Sequence, residues 1–204
     1  MKLLQKFAFL IIVLSVISGC SSLPKSSTNV KWQQQQAQLS SIKSYRATGK
    51  LNYISPEQRQ SLYFQWKHSE DKSQLRLTTF LGQSVLNLVI TPKKSTVTTY
   101  NDKVYTDPNP SELVYRLTGL VLPVSQLQDW LLGKPTGADS YQLNPTNTVA
   151  SIEKTVNGKE WQLNYQSYTD EKIAANTVPL PSKLSLKQGT TSLNITVSKW
   201  TLNQ

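Results

Sequence analysis

The chain has 204 residues, with 22 Lys and Arg against 12 Asp and Glu, for a net charge of +10. It holds one cysteine and one histidine, which excludes an internal disulfide and argues against a zinc centre. The basic excess points to nucleic acid, anionic lipid or an acidic protein.

The chain opens with Lys2 and Lys6, then an apolar core of 11 residues from Phe7 to Ile17, then Ser18-Gly19-Cys20. This is the layout of a secretory signal, and the apolar run is too short to span a bilayer. Ile17-Ser18-Gly19-Cys20 resembles a bacterial lipobox, in which the cysteine becomes the acylated N-terminus. Cys20 is therefore the expected lipidation site and residues 1–19 the expected signal peptide. Removing them leaves 185 residues, enough for one domain. The charge falls to +8, because Lys2 and Lys6 leave with the signal. Export makes nucleic acid an improbable partner, and the cations are dispersed, with only Lys93-Lys94 adjacent. A surface meeting anionic lipid or an acidic protein fits better.

Residues 20–29 read as a lipidated N-terminus and Ser-rich flexible tether, and residues 30–204 as a single domain. Val30 to Ile42 predicts a short helix capped by Asn29. From Tyr45 the period becomes two. Leu62, Phe64 and Trp66 alternate with polar neighbours, as do Leu75 and Leu77, then Leu86, Leu88 and Ile90. Further on, Trp161, Leu163 and Tyr165 alternate, and Leu193, Ile195 and Val197 follow. One apolar and one wet face per strand predicts an antiparallel sheet. The apolar phase slips near Lys199, which predicts a bulge. Asn157-Gly158 is the strongest hairpin signal.

Phe80-Leu81-Gly82 sits between two of these strands. A tight connection puts two large apolar residues where turns normally hold small or polar ones. Either they form an exposed tip that touches a membrane or partner, or Phe80 folds back into the core and Leu81 ends a strand. The strand pattern breaks between Asp107 and Leu132. Asn109 caps a helix with Pro110 at its first position and Leu113, Val114 and Leu117 on one side. A second helix from Pro123 carries Leu127, Trp130 and Leu131, and Gly133 and Pro135 close it. Such a sheet either packs a solid core, which composition favours, or curls around a cavity with the two helices as a lid.

No catalytic constellation is legible. His68, beside Ser69, Glu70 and Asp71, reads as a solvated turn histidine, and nothing resembles a nucleophile elbow. No phosphate loop is present, so transport would run downhill on affinity. No cofactor and no metal are expected.

Leu117-Thr118-Gly119, Leu122-Pro123, Leu127 and Trp130-Leu131-Leu132-Gly133-Lys134-Pro135 resemble the central helical segment of the LolB family of outer-membrane lipoprotein receptors. Tyr53-Ile54-Ser55, Leu75-Arg76-Leu77 before Leu81-Gly82, Asn157-Gly158-Lys159 with Trp161 and Tyr165, and the ending from Ile195 to Trp200 are similar in the same order. One departure is Thr79-Phe80, where the family pattern has Asn-Pro. The resemblance implies a mainly β fold, an incomplete antiparallel barrel with a helical lid and an apolar cavity. It implies a monomer, anchored to the outer membrane and facing the periplasm. Such a receptor takes acylated lipoproteins from a soluble LolA-like carrier and places them in outer-membrane lipid; Ser21 after Cys20 fits that address. The acyl-chain cavity would be lined by Leu62, Phe64, Trp66, Leu75, Leu77, Leu86, Leu88, Leu113, Leu117, Leu127, Trp130, Trp161 and Tyr165. Phe80, Leu81 and Gly82 would form the membrane-insertion loop. The competing readings are a lipid-anchored adaptor with a solid core, and an anchored hydrolase using His68.

Overall fold

Eleven strands form one sheet in the order β6-β5-β4-β3-β2-β1-β11-β10-β9-β8-β7, and every described pairing is antiparallel. The computed structural model describes residues 24–99, 102–156, 158–173 and 175–203. The signal, Cys20 and Asn157 lie outside the described residues. In chain order the elements are α1 (Trp32–Ser41), β1 (Ser44–Ile54), β2 (Arg59–Ser69), β3 (Lys72–Thr78), β4 (Ser84–Ile90), β5 (Ser95–Thr98) and β6 (Val104–Asp107). Then come α2 (Pro110–Thr118), α3 (Val124–Trp130), β7 (Ser140–Leu143), β8 (Val149–Val156), β9 (Lys159–Ile173), β10 (Asn176–Gln188) and β11 (Thr191–Asn203).

Two meanders, β1–β6 and β7–β11, flank the helical pair. Pairing of β1 with β11, from Ser44 opposite Asn203 to Ile54 opposite Ser192, joins them in the middle of the sheet. The expected bulge lies there: Thr48 faces Lys199 but Gly49 faces Val197, so Ser198 is the extra residue. Gly49 is obligatory at this point, since a Cβ would stand 1.9 Å from the Thr196 carbonyl oxygen. Val156 pairs with Lys159 and Gly158 has φ +73°, as the two-residue hairpin signal requires.

Both lid helices form where the sequence places them. The Asn109 side chain accepts hydrogen bonds from the Ser111 and Glu112 amides, and Gly119 ends α2 with φ +70°. The α1 reading needs correction. Its N-cap is Lys31, with no side-chain cap bond, while the Asn29 side chain instead accepts from the Asn147 amide. Part of the expected tether also lies on the fold: the Ser26 amide donates to the Tyr168 carbonyl and the Thr28 hydroxyl to Asp170.

Strand β10 carries Pro179 and Pro181, yet sits inside the sheet. Its pairing with β11 begins only at Lys183, so the proline segment is unpaired on that side. The carbonyls of Pro179 and Pro181 accept from Gln35 Nε2 and Trp200 Nε1 there. The N and C=O of one strand residue point the same way, so both proline nitrogens face the side where no ladder donor is needed.

Candidate functional site

The inner face of the sheet assembles the expected apolar set in rows. Ala47, Trp66, Leu75, Leu88 and Val97 stand opposite one another across β1 to β5. Gly49, Phe64, Leu77 and Leu86 form the next row. Leu62, Phe64, Trp66, Leu75, Leu77, Leu86, Leu88, Trp161 and Tyr165 are all buried. Leu113, Leu127 and Trp130 of the two helices are buried against them, and Leu117 is partly buried. They form one continuous cluster together with residues that the sequence reading passed over, among them Leu120, Leu180, Leu184 and Leu186. The Trp66 indole N–H, inside this cluster, has no hydrogen-bond partner.

Four clefts of about 260–360 Å³ open on the described surface. Of the expected cavity residues only Trp161 lines one of them. That cleft holds about 280 Å³ and lies where Tyr115, Val121, Leu122 and Pro123 of the lid meet Val156 on β8.

Helix α2 packs on β4, β5 and β6, and two tyrosine hydroxyls tie down the C-terminal end of the lid. The Tyr45 hydroxyl, on β1, donates to the Gln128 carbonyl, and the Tyr165 hydroxyl, on β9, donates to the Trp130 carbonyl at 2.7 Å. Burial pushes both phenols well above their ordinary pKa, and the nearby Asp129 carboxylate adds to this at Tyr45. Asp129 pairs with Lys134 at 2.8 Å, and Trp130 Nε1 donates to the Thr136 carbonyl. The two tyrosine bonds use carbonyls of the last turn of α3, which have no partner within the helix. Sequence reading placed Tyr165 among the cavity residues but missed both hydroxyl bonds, because a hydroxyl at a strand position gives no local sign of a partner 83 or 35 residues away.

The Phe80-Leu81-Gly82 connection is exposed. Phe80 is 78% and Leu81 71% accessible. The turn is closed by the Gly82 amide donating to the Thr79 carbonyl and the Thr79 amide to the Gln83 carbonyl. Gly82 has φ +81°, a conformation open to glycine. The tip is therefore rigid at its base and apolar at its end, and Phe80 does not fold back.

His68 is part-buried rather than solvated. Its Nδ1 is 2.8 Å from the Ser73 hydroxyl and its ring lies 5.4 Å from the Tyr45 ring. Burial pulls its pKa below the ordinary value, while the Asp129 charge works in the opposite direction. Ser73 is itself buried, and none of the described hydrogen bonds joins the imidazole to a carboxylate. No group of three or more potential metal ligands occurs among the described residues.

Comparison with known proteins adds an independent line. The family model described as "Outer membrane lipoprotein LolB" matches residues 43–200. The chain is 54% identical over 184 residues to the outer-membrane lipoprotein LolB of Vibrio vulnificus (strain YJ016), covering 90% of this chain and 91% of that one. It is 46% identical to the protein of that name from Vibrio cholerae serotype O1, covering 93% and 92%. For that of Tolumonas auensis the identity is 32%, covering 99% of each. Among solved structures, a LolA superfamily protein from Nitrosomonas europaea superposes with a TM-score of 0.52 at 10% identity, covering 86% of this chain and 94% of that one. That likeness concerns the fold alone.

Proposed function

The chain belongs to the LolB family of outer-membrane lipoproteins, and from that premise we propose how it handles its cargo. It is an outer-membrane receptor of lipoprotein transport. In our reading it is anchored through acylated Cys20, receives lipoproteins from a soluble LolA-like carrier, shelters their acyl chains between the inner sheet face and the lid, and releases them into lipid at the Leu81 tip. It performs no covalent chemistry on them.

The observation that carries this reading is the pairing of a large apolar sheet face under two short helices with an apolar tip on the same meander. An acyl chain of about sixteen carbons gains roughly 10 kcal/mol on leaving water, at ~0.8 kcal/mol per methylene. It must be shielded at every step. Aliphatic and aromatic side chains shield it without directional bonds, so the site tolerates different cargoes. The same side chains now fill the space between sheet and lid. Cargo entry therefore requires α2 and α3 to move outward, and the Tyr45 and Tyr165 bonds to Gln128 and Trp130 are what must yield.

The test is native mass spectrometry of an acylated lipoprotein mixed with the chain lacking its signal and anchor. A one-to-one complex that forms with acylated cargo, and not with the same cargo stripped of its lipid, supports the receptor mechanism. No complex, or equal binding of the stripped form, overturns it.

A further inference from the structure

The outer face of the middle of the sheet carries cations and no carboxylate. Arg46 and Lys50 on β1, Lys67 on β2, Arg76 on β3, and Lys183 and Lys187 on β10 are all exposed there. The outward positions that separate them on these strands and on β11 are Ser, Thr, Asn, Gln, Tyr and Lys. Arg46 stands directly opposite Lys67, a like-charge cross-strand pair that works against the sheet. Lys183 and Lys50 flank Thr196 in a second row, which runs through Tyr63 to Thr78 at the base of the tip. The ion pairs among the described residues use Lys43, Arg116, Lys134 and Lys154, none of them on this face. A surface that keeps these cations, with Lys199 of β11 beside them, outside every described ion pair, two of them face to face, tolerates a cost to folding that a solvated scaffold has no reason to keep.

We propose that this face docks on the anionic headgroups of a phospholipid bilayer and so sets the tip at the lipid boundary. Charge complementarity and continuity with the tip select the occupant. A protein partner would be met by an interface core rich in aromatic side chains and poor in lysine, whereas Tyr63 is the one exposed aromatic residue here and Lys50 covers its ring at 5.5 Å. Arg46 and Lys67 line one cleft together with Lys72, but Lys50, Arg76, Lys183 and Lys187 lie outside it along the sheet, which suits a laterally extended charge better than a single headgroup. The acyl anchor already confines the molecule near such a surface, so modest attraction acts at high local concentration. This proposal does not depend on cargo binding.

The test uses the chain from Ser21 onward, which contains every core residue from Leu39 to Trp200. Its binding to phosphatidylcholine vesicles and to vesicles containing phosphatidylglycerol is measured by sedimentation at low and high salt. Binding to the anionic vesicles should be tighter by roughly tenfold or more and should fall steeply with salt. The triple variant Lys50→Glu, Arg76→Glu, Lys183→Glu should lose that preference with an unchanged melting temperature. If it melts early, Lys50→Gln, Arg76→Gln, Lys183→Gln is measured instead. Leu81→Ser should keep the charge preference while losing penetration, read with a depth-sensitive probe. Equal binding to both vesicles, or a triple variant that retains the preference, overturns the proposal. So does a variant that keeps its vesicle preference but no longer accepts cargo from the carrier, since the face would then dock an acidic protein.

Discussion

Single residues in this molecule divide into those held by packing and those held out for use. Gly49 belongs to the first kind. With the Thr196 carbonyl where its Cβ would stand, Gly49→Ala should cost about 3 kcal/mol, seen as a lower urea midpoint with an unchanged slope. Leu81 belongs to the second kind. Leu81→Glu removes no core contact, so stability should change by no more than about 0.5 kcal/mol. A carboxylate at the tip must be desolvated to enter lipid, so release into liposomes should fall while uptake from the carrier persists. If Leu81→Glu unfolds the protein or blocks uptake, Leu81 is not a release residue. His68 supplies a pH signal. Its native pKa lies below the unfolded value of about 6.5, so the unfolded chain binds its proton first and stability declines as the pH falls below that value. In His68→Gln this contribution should vanish, and the difference between the two stability–pH curves should be flat above neutrality.

At the scale of elements, the lid matters more than the strands it covers. Helix α2 is well capped: Asn109→Ala should cost about 1 kcal/mol, measured by thermal unfolding, because two amides lose their acceptor. Helix α3 has Pro123 at its N-cap, which supplies no side-chain cap; the Ser111 hydroxyl of α2 accepts from its first amide, Val124, and the tyrosine bonds hold its C-terminal end. Tyr165→Phe should destabilise by about 1 kcal/mol, leaving the Trp130 carbonyl with the Gly133 amide alone. Amide exchange in residues 124–136 should rise well above that in the strands, and a hydrophobic probe should bind faster. Uniform acceleration of exchange across the sheet would instead make Tyr165 a global core residue. Edge strands β6 and β7 are short, four residues each, which keeps the two open ends of the sheet from templating aggregation.

For the whole molecule, the architecture separates three tasks along one sheet. In the proposed mechanism the inner face under the lid takes apolar cargo, the β3–β4 turn meets lipid, and the cationic middle of the outer face docks on headgroups. The two meanders are joined by the β1–β11 pairing, so the molecule acts as one body and cargo entry does not split it. A fluorescent apolar probe should therefore bind the native protein and be displaced by a fatty acyl ligand, with the near-ultraviolet circular dichroism signal retained. Binding only under denaturing conditions would identify a solid core. Cys20→Ala should produce an unprocessed or soluble form, checked by membrane fractionation; normal processing and persistent membrane retention would place the anchor elsewhere.

The sequence by itself determined the local rules. Period-two alternation from Leu62 to Leu88 and from Trp161 to Val197 set which side chains turn inward, because successive strand residues point to opposite faces. The Asn109-Pro110 start, the Gly119 stop and the slip at Lys199 are likewise local chemistry, and all appear where the residues place them. Strands β5, β6 and β7 are too short to show a period, and the prolines of β10 read as breakers until its one-sided pairing is known. The fate of Phe80 was open, since a turn residue can fold back or project with the same neighbours in sequence. The partners of the Tyr45 and Tyr165 hydroxyls, and the carboxylate-free middle of the outer face, exist only once strands far apart in the chain are in register. Those properties belong to cross-strand distances, and tertiary structure decided them.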